Sequence, residues 1–387
     1  MRVLIATATA GGGHLAASAA LAEAWKNRSP KDTVEQVDIL DFFPALQRKI
    51  HSEGYVKLAG HAPEVWGMVF KETDKPKVAR RLTRIRRFFP SASRSRFQRH
   101  IEEFAPEVVF CTHYLPLEAL GLLREKNPRK RTDAERAASR PLVVSVVTDF
   151  EAHALWMDEC VDLYCVAAES TGARLMARGA RPESVVATGI PIARRFSQVV
   201  DRKAVRRAMG IREDFPIVLL LSGGFGMGPI TEVMTQIDKT PAAFQVIAVA
   251  GRNEELRREL AVQECQHPIR VLGFANNVHE LMAISDLIVT KPGGLTTSEA
   301  LAMGKPLLIV NPIPGQEAAN SDFLLEHGAG AKVNRVEDLP FRIEQLLASR
   351  KLEEMSAAAK SLGRPQAAGA ICEAALHRLA DRKAELA

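Results

Sequence analysis

The feature that most limits the fold is an alternation: short apolar runs give way, again and again, to stretches of helix formers. Runs of continuous apolar residues read as strands covered on both faces, and strands joined through helices make parallel sheets. In the first half such runs are Val3–Thr7, Val34–Ile39, Val108–Thr112, Leu142–Thr148, Leu163–Ala167 and Val185–Thr188. In the second they are Ile217–Leu221, Phe244–Ala250, Ile269–Leu272, Leu287–Thr290 and Pro306–Val310. Each half supplies enough strands for its own sheet. The stretch TGIPIARRFSQ, Thr188–Gln198, holds a glycine and a proline between the two sets and is the best boundary. At 387 residues and 47% hydrophobic, the chain is long enough for two or three domains, each with a core. No repeat of solenoid length is visible.

Three of the strands run into glycine. Val3-Leu4-Ile5 is followed by Gly11-Gly12-Gly13-His14, and a helix is expected from Leu15. Glycines admit a ligand close to the backbone, and the free N–H groups of a helix start favour anions or electron-rich oxygens. A tight turn with an incidental surface histidine fits this stretch equally well. The device returns in SGGFGMG, Ser222–Gly228, before a helix expected near Pro229. Neither a P-loop lysine nor the G-x-G-x-x-G spacing is present, which excludes a P-loop ATPase and an ordinary Rossmann dehydrogenase. It returns again in TKPGGLTTSEA, where Gly294, Leu295, Thr296 and Thr297 suit a diphosphate and Glu299 a ribose diol. An ordinary capped helix is the alternative. In PGQEAAN, Gln316, Glu317 and Asn320 offer amide and carboxylate groups for sugar hydroxyls, and in GFANN the Phe274 ring suits a base whose edge the Ala275 backbone would read.

The net charge of +6 is unevenly spread. From Lys75 to Arg99 there are ten Lys or Arg and no acidic residue. Val78, Leu82, Ile85 and Phe89 fall there at helical spacing, with arginines on the other faces, as suits a helix on an anionic membrane. A solvated face packed on its domain and a nucleic-acid surface are the other readings, but no nucleic-acid-binding signature accompanies the charge. Residues 126–140, KNPRKRTDAERAASR, read as a mobile loop. Five cysteines without a C-x-x-C pair read as reduced thiols of a cytosolic protein. No run is long enough to span a bilayer and no signal peptide is evident, which leaves a soluble or surface-bound protein.

Together GGGHLAAS, TDFEAHALW, TGIPI, SGGFGMG, GFANNVHELMAISDLIVTKPGGLTTSEA and PGQEAAN resemble the diacylglycerol glycosyltransferases. These are the monogalactosyldiacylglycerol synthases and processive diacylglycerol glucosyltransferases, relatives of the peptidoglycan lipid N-acetylglucosaminyltransferase. The resemblance implies an α/β GT-B fold: an acceptor domain over 1–193, a UDP-sugar domain over 194–364 and a helix over 365–387 that crosses back. It implies an inverting transfer of a hexose from UDP-glucose or UDP-galactose to the sn-3 hydroxyl of diacylglycerol, at the cytoplasmic face of a membrane, without cofactor or catalytic metal. The absence of any Asp-x-Asp pair agrees.

By the same resemblance His14 is the general base and Gly12, Gly13, His153 and Trp156 belong to the acceptor side. Ser222, Gly223, Gly224, Arg252, Phe274, Ala275, Gly294, Leu295, Thr296, Thr297, Glu299, Gln316, Glu317 and Asn320 belong to the UDP-sugar. One departure concerns the basic residue after the G-x-P-[IV] element: Ala193 intervenes, which leaves open which of Arg194 and Arg195, if either, faces the diphosphate. The rival readings are a UDP-sugar transferase to another acceptor, such as a polyprenyl-linked sugar or a soluble aglycone, a nucleotide-sugar epimerase, and a non-catalytic UDP-sugar sensor.

Overall fold

A computed structural model describes every residue except 10–11, 46–47, 49–61, 89–91, 126–139, 225, 227 and 387. The expected mobile loop therefore lies outside the described residues, apart from Arg140. The chain divides into two units, Met1–Arg194 with Gln366–Ala387, and Arg195–Pro365.

The first unit is built on β1 (Arg2–Thr7), β2 (Thr33–Asp38), β3 (Val108–Cys111), β4 (Leu142–Val146), β5 (Leu163–Val166) and β6 (Val185–Ala187). They form one parallel sheet in the order β2-β1-β3-β4-β5-β6. Alternate residues of β1 feed two cores. Val3 and Ile5 join Leu21, Trp25, Phe110 and the C-terminal helix residues Ile371, Cys372 and Ala375. Leu4 and Ala6 join Leu40, Phe97, Ile101, Val109 and Trp156 on the other face. Burial on both faces explains why the strands are apolar throughout rather than alternating. The C-terminal helix Ala367–Leu386 packs on helix Gly12–Arg28 and against β4 and β5.

The second unit holds β7 (Ile217–Leu221), β8 (Gln245–Val249), β9 (Ile269–Leu272), β10 (Leu287–Thr290), β11 (Leu307–Ile309) and β12 (Gly330–Lys332). They pair in parallel in the order β12-β11-β10-β7-β8-β9. Eleven of the twelve strands among the described residues coincide with the apolar runs. The exception, β12, is the half-buried tripeptide Gly330-Ala331-Lys332 at the sheet edge, with no apolar run to reveal it. A Cβ on Gly330 would stand 3.0 Å from the Leu324 Cβ, so the missing side chain lets that strand lie against helix Gln316–Glu326.

Two local expectations are corrected. Helix Gly12–Arg28 starts at Gly12, not Leu15, so Gly12, Gly13 and His14 form its first turn rather than a loop before it. The basic segment is two helices, Pro76–Phe88 and Ala92–Phe104, rather than one. Phe97 is wholly buried against Phe42, with Ala79 buried and Val78 and Leu82 half-buried, so much of the apolar material packs on its own domain. Arg80, Arg81, Arg96 and Arg99 remain exposed; Phe89 lies outside the described residues. All five cysteines are free thiols. No described helix is long and apolar enough to cross a membrane.

Candidate functional site

In each sheet the strand order reverses beside the first strand of its unit, and ligands in open α/β sheets gather at the carboxyl ends of the strands there. In the first unit that point lies between β1 and β3, and it holds His14. The half-buried imidazole has Nδ1 2.9 Å from the Thr112 carbonyl oxygen and 3.0 Å from Thr148 Oγ1. A carbonyl oxygen only accepts, so Nδ1 carries the hydrogen and Nε2 keeps a lone pair. Thr112 also donates its hydroxyl to the His14 carbonyl at 3.1 Å, and the His113 ring meets the imidazole edge-on with centroids 4.8 Å apart. Burial pushes the His14 pKa down to about 4, with the Thr112 carbonyl pulling the other way. Its place in a first helical turn works in the same direction as burial, since that end of a helix disfavours a cation. The side chain is therefore a neutral, oriented base. Thr112 and Thr148, which orient it, were not singled out from the sequence, although both stand at strand ends.

His153 and Trp156 have different surroundings. His153 is 7% exposed, accepts the Leu155 N–H on Nδ1 at 3.1 Å, and so donates from Nε2 to the Phe70 carbonyl at 3.1 Å. Next to it Asp74 accepts from the Ala154 N–H at 2.8 Å, from Arg178 at 2.6 Å and from Arg174 at 3.1 Å. The cluster fastens helix Pro63–Thr73 to the turn before Trp156, and burial lowers the His153 pKa, which keeps the ring neutral. That helix exposes Val65, Met68 and Val69, three apolar residues at helical spacing on one face. Trp156 is 4% exposed and belongs to the core. A wider cavity of about 690 Å³ in this unit opens at the amino ends of β4, β5 and β6, and its Arg140 and Arg178 are paired with Asp162 and Asp74.

In the second unit the switch point lies between β7 and β10. A cleft of about 160 Å³ brings together Ser222, Gly223, Gly224, Phe274, Ala275, Thr296 and Glu299. Gly223 has φ +78°, and a Cβ on Gly251 would stand 2.5 Å from the Gly223 carbonyl, so both glycines are needed for the turn to close. Ser222 donates to the Val249 carbonyl at 2.7 Å, pinning the turn to β8. The Arg252 guanidinium lies 5.0 Å from the centroid of the exposed Phe274 ring. Helix Gly294–Ala302 begins with no side-chain cap, leaving the first amides of Gly294, Leu295 and Thr296 without intrahelical partners. Burial pushes the Glu299 carboxyl up to about 8, opposed by the Arg195 charge.

Arg195, not Arg194, lines this cleft, together with Asn276 and Met282, which sequence reasoning did not single out. Arg194 instead gives its backbone N–H to Glu23 at 3.4 Å. Thr297 and Asn320 are fully buried. Asn320 donates to the Pro292 carbonyl at 3.0 Å and braces the turn from behind. Gln316 and Glu317 open the next helix after Gly315, whose φ is +100°, and Glu317 accepts the Ile313 N–H at 2.8 Å.

Comparison with known proteins agrees with this architecture. Residues 14–192 match the family described as Monogalactosyldiacylglycerol (MGDG) synthase, and residues 217–371 match the Glycosyltransferase family 28 C-terminal domain. A processive diacylglycerol beta-glucosyltransferase of Bacillus licheniformis is 35% identical over 56% of this chain, a match that spans only 58% of that protein. The enzyme of the same name from Bacillus cereus is 28% identical over 97% of this chain and 93% of its own. Among solved structures, Acinetobacter baumannii MurG superposes with a TM-score of 0.59 at 15% identity, over 96% of this chain and 98% of its own. Anabaena HepE in complex with UDP-glucose superposes with 0.57 at 13% identity, over the whole of both chains. A Neisseria meningitidis UDP-GlcNAc 2-epimerase bound to UDP-GlcNAc gives 0.60 at 15% identity, over 97% of this chain and all of its own. The two parallel six-stranded sheets share the fold of the GT-B glycosyltransferases, the first half of the chain matches the monogalactosyldiacylglycerol synthase family, and the second half matches the glycosyltransferase family 28 C-terminal domain.

Proposed function

We propose that the protein transfers a hexose from UDP-glucose or UDP-galactose to the sn-3 hydroxyl of diacylglycerol, with inversion and without a metal. The observation that carries this reading is the His14 tautomer: Nδ1 is committed to the Thr112 carbonyl, which leaves Nε2 to take the acceptor proton. The chemistry divides between the units. In the first, Nε2 accepts the hydroxyl proton as the acceptor oxygen attacks the anomeric carbon. In the second, UDP departs onto the uncapped start of helix Gly294–Ala302, whose amides face growing negative charge. Phe274 and Ala275 hold the uracil and Glu299 the ribose, consistent with the relatives' names and with the UDP-glucose held by HepE. The exposed arginines of 75–99 and the apolar face of helix Pro63–Thr73 support work at an anionic membrane surface, where diacylglycerol resides.

The test is mass analysis of lipids formed by purified protein from diacylglycerol vesicles and each UDP-hexose. Mono- and oligohexosyl diacylglycerol is the expected product, and His14→Ala lowers its rate by about 10² to 10⁴ with UDP affinity kept. Transfer only to a polyprenyl-linked sugar or an aglycone, or isomerisation of the UDP-sugar with no acceptor present, as the epimerase neighbour's name suggests, refutes the reading.

A further inference from the structure

Lys291 ends β10 at the switch point of the second sheet, one strand from the glycine turn that follows β7. Its ammonium stands 3.9 Å from the position a Cβ would take on Gly228, at the far end of that turn. Two residues further on, Gly293 and Gly294 open the uncapped helix. The side chain is half-buried, and burial lowers its pKa while the Glu317 carboxylate raises it. Glu317 is itself pushed up by burial and drawn back by Lys291. The two charges feel each other, yet among the described residues the Lys291 ammonium makes neither a hydrogen bond nor a close ion pair. The Glu317 carboxylate already accepts the Ile313 amide.

A half-buried ammonium without an acceptor in the protein loses hydration that a ligand could restore. The ligand must be an anion, because glycine amides on both sides also point to one. These turns supply dipoles but no formal charge, which the Lys291 ammonium beside them would add. A compact ammonium on a flexible stem suits phosphate as a point charge.

We propose that Lys291 is a catalytic residue of the nucleotide site, its ammonium binding the diphosphate and taking the charge that arrives on the β-phosphate oxygen. This rests on the UDP-sugar reading above. As the anomeric carbon–oxygen bond breaks, its electron pair leaves with UDP beside Lys291. The acceptor oxygen makes the new bond to that carbon and gives its proton to His14 Nε2. The Glu317 charge acts on the ammonium without contacting it.

The experiment is calorimetric titration of UDP and of uridine into the parent, Lys291→Met and Lys291→Arg. Lys291→Met loses about 10- to 100-fold in UDP affinity, the range of a charge-assisted hydrogen bond, and keeps uridine affinity within about twofold. Lys291→Arg recovers UDP to within about fivefold of the parent, since charge is kept and only geometry changes. Equal loss of both ligands marks a structural lysine and overturns the proposal, as does unchanged UDP binding. A parent that binds neither ligand overturns the UDP-sugar reading itself, whereas one that binds both, beside an unaltered Met variant, removes Lys291 alone.

Discussion

At the scale of single residues the site depends on groups whose ordinary chemistry has been displaced. His14 with a pKa near 4 is a weaker base than a free imidazole, but it is neutral across the range where an imidazole near 6.5 would be half charged. A lowered value means the basic form persists until pH falls through about 4. The acid limb of kcat/KM should therefore lie below about pH 5, and a limb near 6.5 would show that burial does not govern the base. Glu299 behaves oppositely. Raised to about 8, it is a neutral acid at pH 7 and both donates and accepts, as an amide does. Glu299→Gln should keep UDP affinity at pH 7 within about threefold, while Glu299→Ala should lose about 10- to 100-fold, both read by calorimetry.

At the scale of elements, what holds each site is a strand end and the helix packed behind it. Asp162 illustrates how the terminal helix is tied into the first sheet. It is 6% exposed, pairs with Arg140 at 3.0 and 2.6 Å, lies 3.6 Å from Arg382 of the terminal helix, and accepts the Val143 amide at 2.9 Å. Arg382 also reaches the Pro141 carbonyl at 3.2 Å and the Arg140 carbonyl at 3.0 Å. Removing one partner of a buried pair leaves the other charge uncompensated, so Asp162→Ala should cost about 3–5 kcal/mol in denaturant unfolding. A loss below about 1 kcal/mol would mean that water replaces the carboxylate and the tie is weak. The basic segment shows the limit of periodicity at this scale. Helical spacing marks an apolar face but not its partner, and Val78 and Leu82 of that face are half-buried beside the buried Ala79.

At the scale of the whole molecule, one device occurs twice: a parallel six-stranded sheet whose order reverses beside its first strand, with candidate site residues at the reversal. The net charge of +6 and the exposed arginines of 75–99 add a long-range term. With about 1 kcal/mol for each cation near an anionic surface, replacing Arg80, Arg81, Arg96 and Arg99 by Glu should lower binding to phosphatidylglycerol vesicles at least about tenfold. Raising salt should weaken the parent in the same sense. Cosedimentation reads both, and retention of the variant on anionic vesicles at low salt would assign attachment to the apolar face of helix Pro63–Thr73 instead.

The sequence by itself determined the two-sheet α/β class, eleven of the strands and the glycine turn after β7, because strands buried on both faces must be apolar throughout and a turn that closes on a backbone must lack side chains. The motifs also named His14, Phe274 and Glu299 before any fold was drawn. Only the tertiary structure decided which nitrogen of His14 is free, that Arg195 rather than Arg194 lines the cleft, that His153 and Asn320 brace turns, and that among the described residues the Lys291 ammonium has no hydrogen bond or close ion pair. Those outcomes depend on groups far apart in the chain: Thr112 is 98 positions from His14, and the pattern of neighbouring residues carries no record of what a distant strand end will bring.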